Sequence, residues 1–227
     1  MRALAVIVAL LGGAWLWNHH RHTADEHALA AVASQIAGRS VEVQCQGFVS
    51  ELVDINNRAG DVPFPNGRAP NHTYLTRKVC ADLTRFRTSS THHALGCLLD
   101  IDWSRWSIES DYFTPCARRA RAAAEAINTL THESFHLRGF VDEAQTQCYA
   151  IQEDAWTTER LGGTAAEGGA VASFILALQP ALPTEYQSSE CRAGGSLDLH
   201  PETPAFPTEP TPQLPPAGLY GPAVTRA

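Results

Sequence analysis

Near the middle of the 227-residue chain, two histidines stand four residues apart in Thr131-His132-Glu133-Ser134-Phe135-His136. On a helix turning about 100° per residue, positions four apart lie about 40° from each other, one turn up. The two imidazoles can therefore converge on one metal ion, while Glu133, flanking that face, can reach a water beside the ion. Such a set suits hydrolysis, in which the ion polarises a carbonyl and the carboxylate takes a proton from the attacking water. A tetrahedral hydrolytic zinc needs a third protein ligand and one open position. Two carboxylates follow closely enough to supply it. Asp142 completes a His-Glu-x-x-His-x-x-Gly-x-x-Asp spacing with Gly139 at the turn, and Glu143 opens the stretch Glu143-Ala144-Gln145-Thr146-Gln147-Cys148-Tyr149-Ala150.

The segment from about Thr129 to Gln152 resembles HExxH zinc metallopeptidases of the gluzincin type, in which the second helix contributes a metal-binding Glu followed by a small residue. The resemblance implies a zinc ion held by His132, His136 and Glu143, with Glu133 as the general base, and peptide-bond hydrolysis through a zinc-bound water. Gln147 stands where many gluzincins place an Asp that braces a ligand histidine; an amide oxygen can accept the same hydrogen bond, more weakly. The interval from His136 to Glu143 is short, as in compact minimal gluzincins. The spacing that ends on Asp142 resembles metzincins instead, specifically the snapalysin variant, but those enzymes carry a methionine turn and Met1 is the only methionine here. Glu143 is therefore preferred as third ligand, with Asp142 as the alternative and otherwise a helix cap. Tyr149, Tyr186 and His200 are candidates for stabilising the carbonyl oxygen, each with a structural role also open to it. Glu133 and His136 also form Glu-x-x-His, but a diiron bundle needs a second copy and none occurs.

Positioning these groups requires two helices joined by a tight turn. Thr114-Pro115 marks the start of a long Ala/Arg-rich helix running to about Arg138, with an apolar stripe of Ala123, Ile127, Leu130, Ser134 and Leu137. Gly139 stops it. Asp142 starts the next helix, with Gln145 as capping-box partner and a stripe of Ala144, Cys148, Ile151 and Ala155. Antiparallel packing through the two stripes brings the third carboxylate beside the imidazoles without a long loop. A third helix covers Ala165 to Gln179, before Pro180 and Pro183. Upstream, His22 to Ala37 reads as helix, Val41, Val43 and Cys45 as a short strand, residues 56–71 as a Pro/Gly/Asn loop, and Thr73 to Phe86 as helix from the spacing of Leu75, Val79, Leu83 and Phe86. Trp103 and Trp106 are expected in the core. The histidines His92 and His93 read as surface or loop residues.

The ends of the chain set its compartment. Arg2 precedes an apolar run from Ala3 to Trp17, followed by Asn18-His19-His20-Arg21-His22. That run is long for a signal core and falls short of a span of roughly 20 residues, and no small-x-small site follows closely. It reads as an uncleaved signal anchor, with Trp15 and Trp17 at the interface, and the body as exported; cleavage would make the protein secreted. Export turns Cys45, Cys80, Cys97, Cys116, Cys148 and Cys191 into disulfide candidates, with the pairing undetermined, and no CxxC suggests a thiolate zinc site. A net charge of -7 with no basic run argues against nucleic acid as a partner. The expected organisation is a signal anchor and flank over 1–22, one disulfide-braced metallopeptidase-like domain over 23–198, and a Pro-rich disordered tail over 199–227. The fold class is mainly α: a zincin-like helical core with a small β element. The partners expected are an unidentified peptide or protein substrate and the membrane. The competing reading is a non-catalytic extracytoplasmic binding module whose metal is structural and closed by a fourth protein ligand.

Overall fold

The computed structural model describes residues 24–46, 59–62, 64, 69–88, 95–101, 115–203 and 205–207. Helix α1 covers residues 24–37. It buries Leu29, Val32, Ala33 and Ile36 at the i, i+3, i+4, i+7 spacing of a core-facing helix. A three-stranded sheet follows, in the order β1-β3-β2: β1 (Glu42–Cys45) runs parallel to β3 (His72–Leu75), and β2 (Gly60–Asp61) pairs antiparallel with β3 at the edge. Helices α2 (Arg77–Thr88), α3 (Gly96–Leu99), α4 (Pro115–Arg138), α5 (Glu143–Arg160) and α6 (Ala165–Leu178) make the remainder, with 3₁₀ turns at Gln179–Ala181 and Thr184–Tyr186. The chain is mainly helical with a small sheet.

Two local readings are corrected. Residues 72–75 form a strand where the helical spacing beginning at Leu75 had placed the start of a helix. Thr73 and Leu75 are buried and His72 and Tyr74 half-buried, a period of two. Thr76 then caps α2, its Oγ1 accepting from the Val79 N–H at 3.3 Å. Leu75, at the strand's end, faces the same core as Val79, Leu83 and Phe86, so one apolar set spans both elements. The loop expected over 56–71 contains β2.

Helix α4 runs through the middle of the molecule. Its last two turns are buried on every side, from Thr131 and His132 through Ser134 and Phe135 to Leu137. The apolar stripe read from the sequence is buried as expected, but the opposite face, which carries the chemistry, is buried too. Helix α5 packs along it, and α6 packs closely on α5. A Cβ on Gly168 would stand 2.7 Å from the Ala155 carbonyl oxygen, so the α5–α6 contact is backbone against backbone there. The Thr164 and Glu167 side chains cap α6 reciprocally, the capping box expected instead at Asp142 and Gln145. At that earlier position Asp142 does accept from the Gln145 N–H, while the Gln145 amide donates to the Tyr149 hydroxyl.

Two arginines lace the C-terminal ends of α1 and α4 together. Arg39 donates to the Leu137 carbonyl at 2.7 Å and to the Pro70 carbonyl and Asn71 Oδ1. Arg138 donates to the Ile36 carbonyl. Each helix thus satisfies last-turn carbonyls with a cation, where the helix dipole favours positive charge.

Cys45–Cys80 ties β1 to α2, and Cys148–Cys191 ties α5 to the segment after the 3₁₀ turns. Cys97 is also disulfide-bonded. The Cys116 side chain lies outside the described residues, as do the N-terminal apolar run, Thr114, His92, His93, Trp103, Trp106 and residues 208–227. Disulfides persist in oxidising, extracytoplasmic compartments. Among the described residues no helix is long and apolar enough to cross a membrane.

Candidate metal centre

The turn between α4 and α5 builds the site. Gly139 adopts φ +113°, a left-handed conformation that side-chain-bearing residues avoid. Its N–H reaches the His136 carbonyl at 2.9 Å and the Phe140 N–H reaches the Phe135 carbonyl at 3.2 Å, the paired bonds of a Schellman ending. Phe140 folds back onto Phe135, ring centroids 5.9 Å apart, and Tyr149 completes this small aromatic cluster. The same turn aims the Phe140 carbonyl at His136, whose Nδ1–H donates to it at 2.7 Å. Asp142 then caps α5, and Glu143 becomes its first residue.

Glu143 Oε2 lies 3.0 Å from His132 Nε2 and 3.2 Å from His136 Nε2. Donors at zinc-ligand distances of ~2.0–2.1 Å around a tetrahedral ion lie about 3.3 Å from one another. The two imidazole nitrogens and one carboxylate oxygen fit that arrangement, and together they could hold a metal ion. Asp142 is not in this group; it is exposed and its Oδ1 accepts from the Gln145 N–H at 2.8 Å. Among the described residues no fourth His, Cys, Asp or Glu joins the three.

Both histidines are held from behind. His132 Nδ1 donates to Gln147 Oε1 at 3.0 Å, the bracing bond read for Gln147 from the sequence. With each Nδ1–H committed to an oxygen, Nε2 is the nitrogen of each ring that faces Glu143, and once deprotonated it has a lone pair for an ion. Burial opposes protonation of both rings. At His132 burial prevails, reinforced by the neighbouring His136, and the pKa lies below its ordinary value. At His136 the hydrogen bond to Glu143, the charge of Glu133 and the Phe140 carbonyl outweigh burial, and the pKa lies above it. Partial burial works against the charged form of Glu143 as well, but the bonds from both histidines hold its carboxyl well below the usual carboxylate range.

Glu133 is buried beside this set, one residue past His132. The backbone of β2 presses on it: a Cβ added to Gly60 would stand 2.6 Å from Glu133 Cγ and Oε1. A cleft of about 450 Å³ opens here, lined by His132, Glu133, Gly60, Gln147, Leu182 and Tyr186 among others. Of the three candidates for stabilising a carbonyl oxygen, Tyr186 alone lines the cleft, its ring centroid 5.7 Å from His132. Tyr149 belongs to the aromatic cluster, and His200 lies between the carboxylates of Glu153 (3.9 Å) and Glu202 (3.3 Å).

Sequence reading missed Gly60, Asn128 and Asp154. Asn128 lies one turn before His132 on the same face of α4. Its Oδ1 accepts from Gln147 Nε2 at 3.0 Å and its Nδ2 donates to Asp154 Oδ2 at 2.9 Å. Beside it, Thr131 donates to Thr157 at 3.0 Å. The faces that α4 and α5 turn to each other therefore carry a polar seam, where apolar stripes alone had been expected. Asp154 is fully buried, and burial pushes its carboxyl well above the ordinary range against the smaller pull of Thr131 and Asn128. The available signal was periodicity: Asn128 with His132, and Glu143 with Gln147, are i, i+4 polar pairs on adjoining helices. Gly60 gave no local sign.

Compared with protein-family models, with curated proteins and with solved structures, the chain has no match.

Proposed function

We propose that the chain is an exported zinc-dependent metallopeptidase of gluzincin type. The observation that carries this reading is the convergence of His132 Nε2, His136 Nε2 and Glu143 Oε2 beside a cleft that Glu133 lines. The donor set, two neutral imidazoles and one carboxylate with no fourth protein donor among the described residues, suits a hydrolytic zinc rather than a closed structural one. Zinc, when bound, supplies Lewis acidity to the carbonyl under attack. His132, His136 and Glu143 would hold it. Glu133 would accept the proton of the attacking water and return it to the leaving amine, its side chain being held beside the three donors against the backbone of β2. Tyr186 is placed to meet the substrate in the cleft. The N-terminal apolar run would hold the domain at the outer face of a membrane, with an exported or envelope peptide as substrate. The competing binding module requires a closing ligand, and none is present among the described residues.

The test pairs zinc analysis with cleavage of a broad peptide library. The full-length chain should carry close to one zinc, and His132→Ala and His136→Ala should each lose most of it. Glu133→Gln should keep the zinc and lose activity by about 10²–10⁴, the loss expected of a missing general base. A zinc-loaded wild type that cleaves nothing favours the binding module. A Glu133→Gln variant as active as wild type overturns the mechanism.

A further inference from the structure

Gln147 passes its role on. His132 Nδ1–H donates to Gln147 Oε1, Gln147 Nε2–H to Asn128 Oδ1, and Asn128 Nδ2–H to Asp154 Oδ2, at 3.0, 3.0 and 2.9 Å. An amide can be turned end for end, and a reversed Gln147 would present N–H to the imidazole and free the wrong nitrogen. Gln147 cannot reverse while Asn128 offers it an oxygen. Asn128 in turn cannot reverse while its N–H₂ is claimed by Asp154, whose Oδ2 accepts whether or not the carboxyl carries a proton. All donation runs one way and ends on a fully buried acceptor. We propose that Asn128 and Asp154 are positioning residues for the metal centre, fixing through Gln147 the tautomer and ring orientation of His132. The proposal rests on the reading of His132 as a metal ligand, and not on peptidase activity.

Two features strengthen it. Gln147 and Asp154 both lie on α5, and Asn128 lies one turn below His132 on α4, so the relay crosses between the helices three times and binds their relative setting to the ring's orientation. Asn128 and Gln147 border the cleft, but the acceptor that ends the relay, Asp154, is fully buried, so the last bond is made within the protein. Partners of ligating histidines typically govern about 10–100-fold in metal affinity.

The experiment measures zinc affinity of the full-length chain by chelator competition, together with the NMR exchange rate of the His132 Nδ1–H in the zinc-loaded protein. Gln147→Leu should weaken zinc by about tenfold or more and speed that exchange. Asn128→Leu, which touches neither the ion nor the ring, should do nearly the same. The double variant should be no more than about twofold worse than Gln147→Leu alone, since a relay is lost once. Asp154→Asn keeps an acceptor oxygen for Asn128 and should retain wild-type zinc affinity and slow exchange; Asp154→Ala should not. If Asn128→Leu does not fold, Asn128→Ala removes the same amide and is read in its place. An Asn128 variant with wild-type affinity and slow exchange overturns the proposal while leaving the metal centre intact. Additive losses in the double variant overturn it also. A wild type that takes up no zinc overturns the centre itself, and the relay with it.

Discussion

Each histidine of the centre spends one nitrogen on the protein and keeps the other for Glu143. That division makes the third carboxylate the decisive residue of the group. Glu143→Ala should lower zinc affinity by ~100-fold or more, beyond what loss of an outer partner costs. Asp142→Ala should leave zinc affinity near wild type and reduce stability by about 1 kcal/mol, as for other lost helix caps. Chelator competition and thermal melts of the two variants separate the roles; the reverse ranking would restore the metzincin-like spacing. His132, Glu133, His136 and Glu143 were legible in the sequence because helical periodicity and one tight turn fix their relations within a dozen residues. Asn128 was legible only as a polar position on a helix, because its partners Gln147 and Asp154 come from another helix. Gly60 was not legible at all, since its contact with Glu133 arises from sheet pairing far away in the chain.

Among the elements, α4 and α5 resolve a conflict between packing and chemistry. The two helices are packed along each other, yet the seam between them is polar, and Asn128, Thr131 and Gln147 find partners on the opposite helix. The elements themselves were foreseen: α4 and its Gly139 stop, α5 from its Asp142 cap, and α6 before Pro180. What the sequence concealed was which face of each helix meets the other, because an apolar stripe and a hydrogen-bonded polar seam are both buried. The buried carboxyl of Asp154 has a measurable consequence. Its native pKa is raised, so the folded protein holds that proton more tightly than the unfolded chain, and stability falls as pH rises from the ordinary carboxylate range toward the native value. Asp154→Asn has no such proton to lose. Its melting temperature should therefore gain on that of wild type by a margin that widens as pH rises above the ordinary carboxylate range; a constant margin would show that Asp154 titrates normally in the fold.

For the molecule as a whole, long-range ties supplement the core. Cys148–Cys191 fixes the segment after α6 onto the second turn of α5, and Gln152, one turn on, holds the same segment by donating to the Leu197 carbonyl and accepting from the Leu199 N–H. Replacing Cys148 and Cys191 together by Ala should cost ~2–4 kcal/mol and lower the melting temperature, with the proposed zinc-binding group of His132 and His136 on α4 and Glu143 on the first turn of α5 still able to bind. Loss of zinc along with the bridge would mean that the tether also shapes the centre. Six cysteines in a chain read as exported announced the bridges, but pairing is a property of the folded path and was not written in their spacing. The same holds for Arg39 and Arg138, whose exchange of carbonyls between α1 and α4 joins residues about a hundred positions apart.

The contact between Gly60 and Glu133 also bears on how this protein can change over generations. A carboxylate walled in by side chains can be adjusted by small steps, one methyl group at a time. Here the wall is main chain, and the smallest step available to it, glycine to alanine, already puts an atom where the carboxylate stands. Descendants of this sequence have therefore two courses at that position: keep the glycine, or give up the present placement of Glu133. The cleft is also lined by Leu182 and Tyr186, whose side chains can change by such small steps. Change in the lining of the cleft is therefore expected at those side chains before the edge strand beside the carboxylate.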